Sequence, residues 1–393
     1  MSKLSFARTG IFWALTAACA AAAASSAHAR KPRNPRWHKK ISSPARVPRL
    51  EAESLEKSSA PRSAQEPGQG AARLSPGRWR PEVKKAVEDL VAGRGKDSSK
   101  YDAQNPPAAV VAFNDAAIVN DIGEAVFQRM VDRADFKFHD GFWREVPIAY
   151  GRQRLRAAQE IFAQTPVSTW PQQPAYHQYR KGFFQAYQDM CSKLGRLECR
   201  TWLAKLLRGY RAEEVSSYAM ATMGEAFMRP VQEELVRSSP EDTAPIAIRR
   251  GLAFIPEIKE LVSLLLKSGF DVWVIDANEQ KQLEVVTREY GIDISRNWGI
   301  RGKLVQDKLS GEVSEPVPIN GGKAVIAVTQ LGRPPALVVG SSRDDQEMLF
   351  YGGGVKLLLD RGDPALRRLA EEKGWLVQPA FLPRAPVPEP AKP

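Results

Sequence analysis

Four short segments carry residues suited to chemistry at the edge of a sheet. Asn114-Asp115 ends an apolar run, Ala108 to Phe113, with the length and β-branched content of a buried strand. Asp276-Ala-Asn278 ends a second run, Val272 to Ile275, and Lys323 opens a helix after Gly321-Gly322. A third run, Ala336 to Val339, leads into Gly340-Ser341-Ser342-Arg343-Asp344-Asp345. A carboxylate at the carboxyl end of a buried strand sits where α/β sheets bind ligands. Taken alone, Asn-Asp after a strand is also an ordinary turn. If the three strands are neighbours, Asp115, Asp276 and Asp345 converge. Such a trio suits a calcium ion or an organic cation, with Lys323 paired to one of the acids; otherwise it is a solvated charged rim.

The elements that would position these residues alternate between two patterns. Val83, Ala86, Val87, Leu90 and Val91 repeat on one face of a helix from Pro81 to Gly95. From Glu124 to Arg249 no period of two is evident. Helical spacing predicts helices over Ile122 to Arg133, Tyr150 to Phe162, Lys181 to Lys193, Arg200 to Gly209 and Ala212 to Arg237. The aromatic residues of this block, among them Phe136, Phe142, Tyr179 and Phe183, recur at helical spacing and read as core. The α/β pattern then returns. A helix is expected from Phe254 to Lys267, started by Pro256, and another from Gln280 to Tyr290, closed by Gly291. Leu304 to Ile319 reads as a hairpin turning at Ser310-Gly311. Val355 to Leu359 is a short strand, and a helix follows from Asp363.

At 393 residues the chain is long enough for two domains. Lys3 and Arg8, the apolar run Ile11 to Ala24, and Ala27-His28-Ala29 read as a secretory signal peptide cut before Arg30. The run is short for a membrane span. Thr16-Ala-Ala-Cys19 has the outline of a lipoprotein box with Thr in place of Leu, so anchoring at Cys19 is a secondary expectation. Export makes a periplasmic or extracellular location the expectation. Cys191 and Cys199 are an even pair in an exported chain, open to a disulfide or to two free, half-buried thiols. Neither His139 nor His177 completes a zinc pattern with them. Of the net charge of +12, most belongs to residues 30 to 80, which hold 13 Lys/Arg and 4 Glu. That tail has too few apolar residues to fold. Its charge suits an anionic envelope polymer or lipid, and export argues against nucleic acid. The expected organisation is a signal peptide (1–29), a basic tail (30–80), an α/β core (81–123 and 250–378), a helical cap (124–249) and a Pro-rich tail (379–393).

The order of these pieces resembles the haloacid dehalogenase superfamily, specifically its phosphoserine-phosphatase-like branch. That branch has a strand and Asp-x-Asp-x-Thr, then a helical cap, then a strand and Ser/Thr. A Lys at a helix start and a Gly-Asp-Ser-x-x-Asp segment after a strand complete it. Here Asn120-Asp-Ile-Gly-Glu-Ala125 looks like the usual start of the cap. Val272 to Glu279 is similar to the second motif, Gly321-Gly-Lys323 to the third, and Gly340 to Leu349 to the fourth. The resemblance covers residues 108 to about 362. It implies a Rossmann-like α/β core with a parallel sheet and an inserted all-helical cap. In the family the first Asp attacks phosphorus and the second acts as general acid and base. A Ser/Thr and a Lys hold the phosphoryl oxygens, and Mg²⁺ sits between the first and fourth motifs.

The residues depart from that pattern. The spacing to Asp121 reads as two residues short, which gives Asp115 one of two places. As nucleophile it leaves Ala117 in the general-acid position; as general acid it leaves Phe113 in the nucleophile's. Asp276 stands where Ser/Thr should donate to phosphate, and like charges about 4 Å apart repel by roughly 4 kcal/mol at an effective dielectric near 20. Ser341 replaces the first metal-holding acid, leaving Asp345, and Lys323 matches outright.

Three functions remain open. The first is an exported protein of phosphatase fold whose phosphoryl transfer is lost and whose binding role is kept. Asn114, Asp276, Asn278 and Lys323 would then face a small phosphorylated or cationic ligand in the core–cap cleft. The second is a Mg²⁺-dependent phosphomonoester hydrolase in which Asp115 attacks, Lys323 steadies phosphate, and Asp115 and Asp345 hold the metal. The third is a calcium or organic-cation binder built on Asp115, Asp276 and Asp345.

Overall fold

The structure, a computed structural model, describes residues 73–381. The signal peptide, Cys19, residues 30–72 of the basic tail and the Pro-rich tail beyond Phe381 lie outside the described residues.

Helix α1 (Pro81–Arg94) buries Val83, Val87 and Val91, the stripe its sequence displays. Strand β1 (Ala108–Val111) is buried throughout and is followed by a tight loop and the short β2 (Ile118–Val119). An insert then runs through α2 (Ile122–Arg133), α3 (Asp140–Glu145), α4 (Arg152–Phe162), α5 (Pro174–Lys193), α6 (Arg196–Lys205) and α7 (Ala212–Phe227). It closes on the hairpin β3 (Gln232–Val236) and β4 (Ile246–Arg250). After β5 (Ala253–Phe254), which pairs with β2, come α8 (Pro256–Lys267), β6 (Asp271–Glu279), α9 (Gln280–Thr287) and β7 (Asn297–Ile300). A second hairpin, β8 (Gly302–Val305) and β9 (Lys308–Val313), precedes α10 (Gly321–Leu331) and β10 (Leu337–Gly340). The body ends with α11 (Gln346–Tyr351), β11 (Val355–Asp360), α12 (Pro364–Glu372) and β12 (Leu376–Pro379).

The central sheet has six strands in the order β12-β11-β10-β1-β6-β7. Every neighbouring pair is parallel. Parallel sheets are covered on both faces, and β1 and β10 accordingly read as unbroken apolar runs. β1 lies between β10 and β6, with Val111 opposite both Val339 and Val274. The residues that follow those three positions therefore emerge side by side.

The insert is not wholly helical, which revises the all-helical cap. The helix expected over Ala212 to Arg237 stops at Phe227, and β3 pairs with β4 instead. In β4 Ile246, Ile248 and Arg250 are buried while Ala247 and Arg249 are exposed, an alternation over too few residues to be evident beforehand. The hairpin turns at Gln306-Asp307, both left-handed (φ 51° and 61°), and not at Ser310-Gly311. Two left-handed residues give the twist that joins adjacent strands most directly. The body also begins earlier and ends later than expected. Leu74 and Trp79 are buried, Trp79 packs edge-on against Phe381 at 4.7 Å, and Arg78 pairs with Glu257 at 2.6 Å. The insert's aromatic residues are core, as read: Phe136 stacks on Phe183 at 5.5 Å, and Tyr179 meets Phe183 edge-on at 4.9 Å. A disulfide joins Cys191 of α5 to Cys199 of α6.

One buried acid at the end of β6 makes stability depend on pH. Glu279 caps α9, accepting the N–H groups of Lys281 (2.9 Å) and Gln282 (3.1 Å). Burial, helped by Glu284, outweighs those bonds and Lys281, and pushes the carboxyl up from 4.5 to about 7. The folded state thus holds this proton more tightly than the unfolded state. Its stabilising effect is complete below pH 4.5 and is lost as pH rises through about 7. The loss is at most about 3 kcal/mol, at 1.36 kcal/mol per pKa unit. Glu279→Gln, which keeps the accepting oxygen, should flatten that decline in urea unfolding between pH 5 and 8. An unchanged pH slope would show that Glu279 is not its source.

Candidate active site

Past Val111 the chain leaves the sheet and its side chains diverge. Ala112 and Asn114 face a polar cavity of about 80 Å³, while Phe113 is fully buried and packs edge-on against Tyr290 at 5.0 Å. Asp115 also lines the cavity, from a left-handed turn with φ 50°, a conformation Asp tolerates better than most residues. Its N–H donates to the Asn120 carbonyl (3.2 Å), and its Oδ1 accepts the Asn120 N–H (2.8 Å). Its Oδ2 accepts from Arg249 at 3.0 Å and meets Arg361 at 2.5 Å. The two residues that alternate into the cavity on either side of Phe113 fit the two aspartate positions of Asp-x-Asp-x-Thr. Read so, the motif is Ala112-Phe-Asn114-Asp-Ala116 with no gap. The reading with two residues missing gives one of those places to Asp115 instead.

Asp276 turns its carboxylate onto the end of β1. Oδ2 accepts the backbone N–H groups of Phe113 (2.9 Å) and Asn114 (3.2 Å). Oδ1 accepts from the side-chain amides of Asn114 (2.5 Å) and Asn278 (3.2 Å). Burial raises its pKa, opposed by Lys323 and by the two backbone donors. The side chain of Asn278 also donates to Asn114 Oδ1 (2.9 Å) and accepts the N–H of Gly123 (3.1 Å). A Cβ on Gly123 would fall 2.5 Å from that Asn278 oxygen, so glycine is what lets α2 approach the strand end. Asn114, Asp276 and Asn278 thus form one hydrogen-bonded network.

Lys323 reaches the same cavity from α10. At Gly322 a Cβ would lie 1.8 Å from the Val317 carbonyl oxygen, which accounts for the glycine before the lysine. Lys323 Nζ donates to Asp345 Oδ1 at 2.6 Å, and both side chains are almost completely buried. Asp345 Oδ2 accepts the N–H groups of Ser341 (2.8 Å) and Ser342 (2.9 Å) and the Ser342 hydroxyl (3.0 Å). Burial works against both charges. Even so, the pairing holds Asp345 below the usual carboxylate range and Lys323 above the usual amine range. The Ser341 hydroxyl lies 3.4 Å from the Asn114 carbonyl.

The residues that sequence reasoning missed are arginines. Arg196 and Arg200 of α6, Arg249 of β4 and Arg361 after β11 join Lys323 around the cavity, against Asp115, Asp276, Asp344 and Asp345. Arg196 pairs with Asp344. Arg200 is buried against Asp121 (2.6 Å) and Glu124 (3.2 Å), with Asp121 also capping α2 through the Glu124 N–H (2.9 Å). The Nε and Nη1 of Arg200 are buried with no hydrogen-bond partner among the described residues. Burial lowers the pKa of Arg361; Asp115 opposes this, and Arg249 and Arg196 reinforce it. Arg196, Arg200 and Arg249 shift the other way, raised against burial by Asp344, by Asp121 and by Asp115. A spacing of four places Arg196 and Arg200 on one helix face. Their meeting with Arg361 depends on how the insert packs on the core, which local pattern does not encode.

These donors do not fit a divalent cation. Asp115, Asp276 and Asp345 converge as expected, and Lys323 pairs with one of them, but every carboxylate oxygen of the three already meets a protein donor. Among the described residues no group of three His, Cys, Asp or Glu is placed to hold a metal. Magnesium and calcium prefer oxygen ligands, and here backbone N–H groups, side-chain amides and cationic side chains already hold those oxygens. A larger open groove of about 1090 Å³ runs along the amino ends of the strands, beside Arg94, Lys100 and Trp375. Ligands of open α/β sheets bind at the carboxyl ends, where the polar cavity lies.

No protein-family model matches this sequence, and no curated protein does. Among solved structures it is similar to a conserved protein of unknown function from Anaerococcus prevotii DSM 20548. That match has a TM-score of 0.67 and 19% identity, covering 78% of this chain and 94% of the other. A protein of unknown function from Bordetella pertussis Tohama I matches with a TM-score of 0.44 and 11% identity, over 70% and 98% of the two chains. A phosphoserine phosphatase, as a phospho-aspartyl intermediate analogue, matches with a TM-score of 0.36 and 12% identity, over 70% and 94%. The likeness to the Anaerococcus protein is one of fold. The fold is α/β: a six-stranded parallel sheet gathers the segments after β1, β6 and β10 at adjacent strand ends, and the insert follows the first of them.

Proposed function

We propose that this chain binds a small oxyanion in the polar cavity and does not hydrolyse phosphate esters. The observation that supports this reading is the arginine lining, above all the buried guanidinium of Arg200 with its two unpartnered nitrogens. A buried donor without an acceptor costs about 1–3 kcal/mol, more when charged, and an oxyanion that reached these nitrogens from the cavity would remove that cost. About 80 Å³ is room for a few waters or one tetrahedral oxyanion.

Phosphoryl transfer through an aspartyl-phosphate needs a free carboxylate at the strand end and a second group that moves a proton. Ala112 supplies a methyl group and Asn114 an amide, and neither performs those steps. The Asp115 carboxylate is held by Arg249 and Arg361, which stabilise its charge where it is. In the cell the leader and the basic tail favour export and retention at an anionic envelope surface.

Hydrolysis of 4-nitrophenyl phosphate by the full chain, with and without Mg²⁺, is the direct test. The expected rate equals that of an Asp115→Asn control, while inorganic phosphate gives a binding isotherm in calorimetry. Mg²⁺-dependent turnover that disappears in Asp115→Asn would establish the hydrolase instead.

A further inference from the structure

The polar cavity does not stand alone. A second cavity of about 420 Å³ shares lining with it: Phe127, Phe184, Tyr187, Ala247 and Ile248 form an apolar wall, and Gln128, Gln188 and Ser192 a polar side. Arg196 and Arg249 line both. We infer that the ligand is a small amphiphilic anion, with an oxyanion head at these arginines and an apolar, ring-sized body in the second cavity. This inference rests on the anion reading above and adds the class of ligand.

Size and polarity decide between a bare ion and a substituted one. An inorganic oxyanion fills the first cavity and leaves the second, larger one to water against aromatic walls. Small-molecule sites are commonly apolar spaces of about 300–1,000 Å³ with a few fixed polar groups at one end, and the two cavities together have that form. Charge selects the sign of the head. The acid at this junction, Glu124, is already engaged by the Tyr187 hydroxyl (2.9 Å) and Arg200 (3.2 Å), and Arg249 lies 3.9 Å away. The walls are also tied together. The Cys191–Cys199 disulfide links the end of α5, which carries Tyr187, to the helix that carries Arg196 and Arg200, and Cys191 itself lines the apolar cavity. A cavity held this way loses little freedom when it is filled, which favours binding.

Calorimetry on the full chain with inorganic phosphate, methylphosphonate and phenylphosphonate tests the inference, because the phosphonates cannot be hydrolysed. Phenylphosphonate should bind roughly ten- to a hundredfold more tightly than methylphosphonate, the range for burying an aromatic side chain. Ala247→Trp, at an exposed strand position, should fill the apolar cavity and erase that difference. Arg249→Met should weaken all three anions. Phosphate binding with equal affinity for the two phosphonates overturns the amphiphilic ligand and leaves the anion reading standing. Failure of all three anions to bind folded protein overturns both, as does binding of benzyltrimethylammonium in their place.

Discussion

Asp276→Ser should raise the affinity for inorganic phosphate by roughly a hundredfold or more while lowering the melting temperature of the ligand-free protein. The carboxylate of Asp276 lies on the backbone N–H groups of Phe113 and Asn114, at 2.9 and 3.2 Å, and so acts as a built-in anion at the end of β1. A phosphate oxygen brought to the same donors meets a like charge. At about 4 Å and an effective dielectric near 20 that repulsion is roughly 4 kcal/mol, an upper limit close to a thousandfold. Serine removes the charge and offers a hydroxyl that can donate. It also leaves two backbone donors and the Asn114 amide short of an acceptor, and each such group costs about 1–3 kcal/mol when buried. Phosphate would restore those bonds, so the variant's melting temperature should climb with phosphate more steeply than the wild type's. Asp276→Asn keeps an accepting oxygen without the charge and should show a smaller gain. Calorimetry and thermal melts in graded phosphate read both effects. A folded Asp276→Ser protein with wild-type phosphate affinity would show that Asp276 is not the barrier.

How much of this was legible beforehand follows from the range over which each interaction acts. β1, β6 and β10 could be read as buried strands because a parallel sheet demands continuous apolar runs, and their adjacency followed from the motif order. Lys323 could be placed for a similar reason, since Gly322 is a local steric requirement that leaves its mark in the sequence. The strand pair β3 and β4 could not, because β3 is mostly exposed without alternation and the alternation of β4 spans only five residues. The arginines were invisible for a different reason. Arg196, Arg249 and Arg361 come from a helix, an insert strand and a core loop, and only tertiary packing brings them to one cavity. Asp115 is the instructive case. Its type suggested a nucleophile, but its left-handed backbone turns it to the two guanidiniums and leaves the strand-end positions to Ala112 and Asn114. Residue type suggests a chemistry, and backbone geometry decides which groups the side chain meets.

The second large effect is on stability. Lys323→Met should destabilise the protein by about 3–5 kcal/mol, because it leaves the Asp345 charge buried without its cation. The two groups are 2.6 Å apart and the other Asp345 oxygen is already held by Ser341 and Ser342, so no rotation can expose the carboxylate. Two causes, lost charge pairing and lost packing of the lysine stem, would look alike in a single melt, and pH separates them. Without Lys323, burial raises the Asp345 pKa in the folded state above its unfolded value. The variant then gains stability relative to wild type as pH falls, since the folded form binds the proton more tightly. Urea unfolding at pH 5 and pH 8 should show a smaller deficit at pH 5; an equal deficit at both would assign the loss to packing. The double variant Lys323→Met with Asp345→Asn removes both charges and should recover part of the stability, giving a coupling energy for the pair. A pair held this tightly also bears on ligand binding. Lys323 cannot turn fully to an anion without leaving Asp345 unpaired, whereas a guanidinium with five N–H donors can keep its acid and still donate to a second anion, so the arginines are expected to carry the affinity.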